Sequence, residues 1–301
     1  MKKGLVLVLL TAIISGISIF LNAFGVKDIN PYLFTGAKNL IVSIFLLSTI
    51  LLLGNFRELK TLKLKDWQNL GLIGLIGGSI PFLLFFKGLQ LASPAQGSFV
   101  HKTMIIWVAL LSIFVLKEKL DKKIVVGALL LLVGNFLLLK LTSFEFTTGI
   151  GLIVIATLFW SSEIILSKKV LEKLSGNVVA FGRMFFGSLF ILIFLIATNQ
   201  ISLVATITTS QLVWIGVTSV FLVGYVMTFY NGLKLVKAST AVAVLSLGAV
   251  ITTLLNVVFL DKVIGLSQVI GMIFLVIGAI AFSISTETLK KIYSSISTAK
   301  A

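Results

Sequence analysis

Residues 86–134 and 230–278 are two copies of one pattern. They align without a gap at an offset of 144 residues, setting Gly88 against Gly232, Leu91 against Leu235, Leu116 against Leu260, Gly127 against Gly271 and Gly134 against Gly278. Both copies are almost wholly apolar. When an odd number of membrane spans separates two copies, they lie upside down relative to each other. Inverted repeats of this kind are the commonest sequence mark of a secondary transporter.

The repeat constrains the fold because the whole chain is as apolar as the repeat. Of its 301 residues, 58% are hydrophobic and 12% charged, with mean hydropathy +1.16. A soluble domain of this size cannot hide so much apolar surface. The apolar runs are continuous, as in 41–53 and 124–139, so the period-two alternation of a membrane barrel is absent. The class is an all-α polytopic membrane protein, since lipid leaves the backbone no other partners than its own. No cysteine is present, which removes disulfides, thiol chemistry and thiolate metal sites.

A helix needs about 20 apolar residues to cross the hydrocarbon core. Ten such runs occur, at 5–26, 31–54, 67–89, 94–116, 124–140, 149–170, 178–198, 212–235, 239–260 and 266–285. The first follows Lys2 and Lys3 in the manner of a signal peptide. It is long enough to span, however, and no convincing small-residue cleavage site follows, so it reads as the first span.

A net charge of +15 is also what a nucleic-acid binder carries, but its distribution here points to membrane orientation. With the N-terminus in the cytoplasm, one side carries 18 Lys and Arg, in the groups 2–3, 57–65, 117–123, 168–173, 234–237 and 290–300. The other side carries 4, namely Lys27, Lys87, Lys140 and Lys262. This asymmetry predicts ten spans with both ends cytoplasmic in the cell (inner) membrane. It also supports the inversion: the loop KEKLDKK after Leu116 has four lysines, and its counterpart after Leu260 has one. The expected organisation is a first five-helix repeat at 1–146, a second at 147–286 and a cytoplasmic tail at 287–301.

Motifs at the end of each half carry a family resemblance. LASPAQGS, LKEKLD and GALLLLVGN in the first half answer VKASTAVA, LDKVIG and GMIFLVIGA in the second. TLFWSSEIILSKK opens the second half, and a basic residue stands in the second helix of each, Lys38 and Arg183. Together these resemble the drug/metabolite transporter superfamily, in its ten-helix family with two EamA-type domains. Two departures stand out. Ile105 and Gly248 lie near a position where the family often has proline, and the first half has ISGIS in place of the tryptophan. The resemblance implies a basket of ten helices around a central substrate cavity, and the movement of amino acids, other metabolites, nucleotide-linked compounds or drugs, commonly outward.

Ionisable groups far from helix ends are costly in a membrane and mark function. Five qualify: Lys38, His101, Lys102, Glu163 and Arg183. At ~1.5 Å per residue, Lys38, His101 and Lys102 fall roughly 10 Å below the outer end of their spans. Glu163 and Arg183 flank the turn between spans six and seven and fall at one inner depth. They read either as a buried ion pair or as a proton-exchanging carboxylate tuned by an arginine. Lys38 and Lys102 either snorkel outward or attract a substrate anion. His101 either packs by hydrogen bonding or titrates, and the 100° step along a helix prevents it from sharing a direction with Lys102.

Trp107 and Trp160 lie inside spans and are candidates to stack on a substrate, with packing the alternative. Tyr225 and Tyr230 are candidate hydrogen-bonding groups. The glycine pairs Gly74 with Gly78, Gly127 with Gly134 and Gly271 with Gly278 read as helix-packing faces. No Walker motif, metal cluster or nucleophile–base set appears, and Glu163 and His101 fall in opposite halves, so no enzyme and no cofactor are expected. The partners expected are a small-molecule substrate and the bilayer, not nucleic acid, with the chain a monomer or homodimer. Three fixed positive charges against one acid favour anionic or zwitterionic solutes. The leading expectation is an alternating-access exporter of amino acids or related zwitterionic or anionic metabolites, with proton exchange as the candidate driving force. Import or exchange of a nucleotide-like or phosphorylated anion is the alternative, followed by cationic drug export at Glu163.

Overall fold

The computed structural model describes residues 2–26, 29–52, 56–119, 122–141 and 145–283. The expected tail at 287–301 and the last residues of the tenth span lie outside them. Among the described residues the regular structure is helical. In chain order the helices are α1 (Lys2–Gly25), α2 (Pro31–Leu52), α3 (Phe56–Thr61), α4 (Leu64–Gly78), α5 (Ile80–Leu91), α6 (Pro94–Lys102) and α7 (Met104–Leu116). They continue as α8 (Lys122–Leu138), α9 (Thr148–Val170), α10 (Gly176–Ala197), α11 (Thr209–Leu235), α12 (Ala238–Leu245), α13 (Gly248–Leu260) and α14 (Leu266–Ser283).

Among the described residues ten spans result, because three are built from two helices each: α4 with α5, α6 with α7, and α12 with α13. Nine helical stretches among the described residues are long and apolar enough to cross a bilayer. The remaining span, α8, has 17 residues. At ~1.5 Å each it covers about 25 Å, close to the hydrocarbon thickness. Polar residues fix where spans begin. The side chains of Ser93, Thr147, Ser175 and Thr208 accept the free backbone N–H groups that open α6, α9, α10 and α11.

The packing obeys an approximate two-fold relation that turns one half over. Gly134 packs on Gly271 and Leu275 while Gly278 packs on Gly127 and Leu131, so α8 and α14 run antiparallel through one glycine-lined contact. The repeat pairs Gly134 with Gly278 and Gly127 with Gly271, so the two halves are inverted. A second pair of contacts agrees. Gly88 of α5 meets Ile153 of α9, and Gly232 of α11 meets Val8 of α1. Each half therefore lends its first span to the other, which interlocks them. The ends of spans four and nine also match: Lys117 and Asp261 both adopt left-handed backbone, with φ of 55° and 50°. Each donates its N–H to an equivalent carbonyl, Ser112 or Asn256.

The loops expected on one basic face do meet there. Lys168 Nζ donates to the carbonyls of Leu233, Lys234 and Val236 at 2.6, 3.1 and 2.6 Å. Glu118 accepts from Ala238 N and Ser239 Oγ, both at 2.8 Å, and Glu58 accepts from Ser175 N at 2.6 Å.

Candidate functional site

Span three does not run straight through. Pro81 has no N–H, so the carbonyl four residues earlier, Gly77 O, loses its helical donor. Ser79 leaves the helical region at φ −137°, ψ −76°, and Phe82 N turns to Ser79 O at 2.9 Å. Gly78 O is freed as well. Side chains from three other spans take up these carbonyls. Trp160 Nε1 and Arg183 Nη2 donate to Gly77 O at 3.1 and 2.9 Å, and Asn39 Nδ2 donates to Gly78 O at 3.0 Å. A side chain at position 77 would collide with Glu163 Cγ and come within 3.2 Å of Arg183 Nε, so only glycine lets both charged groups close on the break.

Glu163 is 2% exposed. Its Oε1 accepts from Tyr230 Oη and Ser167 Oγ, each at 2.6 Å. Its Oε2 takes no hydrogen bond from the described residues. Arg183 is 9% exposed, and its Nε is buried without a hydrogen-bond partner among the described residues. No salt bridge links Glu163 to Arg183 among the described residues. The two lie on either side of Gly77 instead. The direct ion pair suggested by their common depth is therefore replaced by a glycine-centred cluster. Each charge is met by polar groups rather than by the other.

An aromatic wall adjoins the cluster. Trp160 lies 5.1 Å from Phe82, 5.4 Å from Phe85 and 4.8 Å from His101 between ring centroids. His101 Nδ1 is buried and unpartnered. His101 thus meets the Trp160 ring, and Trp160 stands one turn from Glu163. A helical side chain leans toward its own N-terminus, so the Trp160 indole reaches past the depth of its Cα toward the level of His101.

Lys102 is half-buried, and its Nζ makes no hydrogen bond with the described residues. Tyr225 is half-buried and stacks on Phe229 at 5.7 Å. Trp107 is half-buried, with no ring neighbour among the described residues. Tyr230, expected to face a substrate, is fully buried and spends its hydroxyl on Glu163.

A second polar centre sits in the other half. Lys38 is 7% exposed and does not snorkel. Its Nζ donates to Asn22 Oδ1 at 2.8 Å and lies 4.7 Å from the Phe34 ring centre. Asn22 Nδ2 in turn donates to Ser18 Oγ at 3.1 Å. At an offset of 145, Lys38, Asn22 and Ser18 are the counterparts of Arg183, Ser167 and Glu163. The bond from Asn22 to Ser18 repeats that from Ser167 to Glu163, with serine where the acid stands, whereas Lys38 bonds Asn22 and Arg183 bonds Gly77 O instead.

The pattern of the EamA-like transporter family matches residues 2–140 and again 147–284. The chain belongs to this family. An "uncharacterized transporter" of Clostridium kluyveri is similar to this EamA-like transporter, with 25% identity over 299 residues, covering 93% of each chain. The "Protein LicB" of Haemophilus influenzae is 30% identical over 121 residues, covering 39% of this chain and 41% of that protein. A solved crystal structure superposes with TM-score 0.75 at 23% identity, covering 91% of this EamA-like transporter and 94% of that chain, which supports the fold alone.

Reading the sequence missed Ser167, Asn22, Gly77 and Pro81. Pro81 was the available signal: a proline inside an apolar run, preceded by two glycines and a serine, announces freed carbonyls.

Proposed function

We propose that this EamA-like transporter is an alternating-access exporter of amino acids or related zwitterionic or anionic metabolites, with Glu163 as the group that exchanges a proton. The observation that carries the reading is Arg183, nine-tenths buried, with a free Nε and no carboxylate bound to it. A buried guanidinium left in this state is suited to a carboxylate arriving from outside the protein. Lys102, also without a partner among the described residues, supplies a second anchor, and the wall of Trp160, Phe85 and His101 supplies an apolar flank. Lys38, Trp107 and Tyr225 complete the proposed lining. Glu163 suits proton exchange because one oxygen is fixed by Tyr230 and Ser167 while the other takes no hydrogen bond from the described residues.

The loop charges support cytoplasmic ends in the cell membrane, and the family match supports halves at 1–146 and 147–286. A phosphorylated or nucleotide-like anion is the second reading, favoured by the surplus of Lys38, Lys102 and Arg183 over Glu163. Flux into proteoliposomes with labelled amino acids and organic phosphates, with and without a pH gradient, tests both. Amino-acid flux driven by the gradient supports the first. Gradient-independent exchange of phosphate esters replaces it with the second. No flux of any compound with folded protein rejects both.

A further inference from the structure

The break in span three has no counterpart in the other half. Positions 77 and 81 correspond to Phe221 and Tyr225, and α11 passes through them as one unbroken helix of 27 residues. The inverted fold therefore does not require a break. This chain has one nonetheless, and it clips the loose end with side chains from spans two, six and seven. Gly77 O has two donors of unequal kind. Trp160 is a neutral donor held in an aromatic wall, and Arg183 is a charged donor with an idle nitrogen.

We infer that span three is hinged at Ser79 and that a substrate carboxylate releases the hinge by drawing Arg183 away from Gly77. The inference rests on the reading of Arg183 as an anion-binding group. A carboxylate accepts a charge-assisted pair of hydrogen bonds from a guanidinium, whereas a peptide carbonyl offers one weaker bond. When the substrate takes Arg183, Gly77 O keeps Trp160, so no buried carbonyl is orphaned. The one side-chain hydrogen bond among the described residues that ties the C-terminal end of α4 to α10 is then gone, and the angle between α4 and α5 at Ser79 is free to change. The pivot costs no helical hydrogen bond, because Pro81 has already removed the bond that a straight helix would have to break. Asn39, which holds Gly78 beside Ser79, keeps the pivot itself in place. Binding and movement are thus joined in one guanidinium, which makes the conformational change a consequence of the anion's differential contact with the two states.

The absence of cysteine makes the test direct. Leu84→Cys, half-buried on α5, provides a single reporter whose maleimide labelling rate is measured in proteoliposomes with added L-glutamate, benzoate or inorganic phosphate. At least one of these anions is expected to change the rate by threefold or more. The change should vanish in Arg183→Gln and in Pro81→Ala, which restores the N–H to Gly77 O. Pro81→Ala should still bind the same anion, at wild-type affinity or tighter, and lose at least tenfold in flux. A Pro81→Ala protein that keeps wild-type flux and labelling response overturns the hinge. A response that survives in Arg183→Gln overturns the latch. If no anion elicits a response or flux in the parent, the substrate reading has failed, and basal labelling then decides the hinge. It should be slower in Pro81→Ala and faster in Trp160→Phe, and equal rates in all three overturn it. If Pro81→Ala does not fold, Trp160→Phe alone decides by the same criterion.

Discussion

Gly77 is where the chemistry of single residues is tightest. The Glu163 side chain and the Arg183 guanidinium both rest against a Cα that carries no side chain. Gly77→Ala drives a methyl into Glu163 Cγ within a closely packed interior, and overpacking of this kind costs about 1–3 kcal/mol. A clear drop in melting temperature in detergent is expected, and an unchanged one contradicts the packing at this point. Tyr230→Phe tests a different property. It keeps the ring and deletes one of two donors to a buried carboxylate, a bond worth about 1.5–3 kcal/mol. Loss of stability of that order is expected, together with weaker coupling of flux to pH. Glu163→Gln should go further and abolish pH-driven transport while exchange without a gradient persists. Unaltered gradient-driven uptake in Glu163→Gln removes the proton role.

The charged members of this cluster were legible because an acid or a guanidinium inside an apolar run has few innocent explanations. Ser167 was not legible, since a serine in a span most often bonds its own backbone, as Ser161 does here with Thr157 O at 2.7 Å.

At the scale of helices, sequence period finds the spans but not their bends. The breaks at Thr103 and at Ser246–Leu247 fall at matching positions of the repeat, yet neither contains a proline. Both come from a local tightening of hydrogen bonds, such as Thr103 N to Val100 O at 3.0 Å and Leu247 N to Val244 O at 3.0 Å. Nothing in the run of residues announces them. The glycine faces were legible because their seven-residue spacing survives in both copies. They now carry a prediction. A Cβ on Gly271 would stand 2.7 Å from Gly134 O and 2.9 Å from Leu138 N, both rigid backbone atoms. Gly271→Val must therefore push α14 off α8, and loss of folded protein on size-exclusion chromatography is expected. Gly151, which has nothing within 4 Å of its missing side chain, is the control, and its change to alanine should be silent.

At the scale of the whole molecule, two independent records describe one inversion. The lysine count places matching loops on opposite faces, and the antiparallel contact of α8 with α14 places matching helices in opposite directions. The record in the charges is legible without coordinates because membrane orientation is read from loops. The interlocking of the halves is not, because apolar faces look alike whichever helix they meet. The sharpest check uses one position twice. Lys119 and Val263 are counterparts at the 144-residue offset, and both stand in exposed turns that close spans four and nine. In a chain without cysteine, Lys119→Cys and Val263→Cys each present one thiol. An impermeant maleimide added outside intact cells should label Val263→Cys at once and Lys119→Cys only after the membrane is opened. A fold with parallel repeats, or with one span fewer between these turns, would expose both thiols to the same side. Labelling of both from one side would therefore remove the inversion, and with it the two-fold relation that makes Ser18 the counterpart of Glu163.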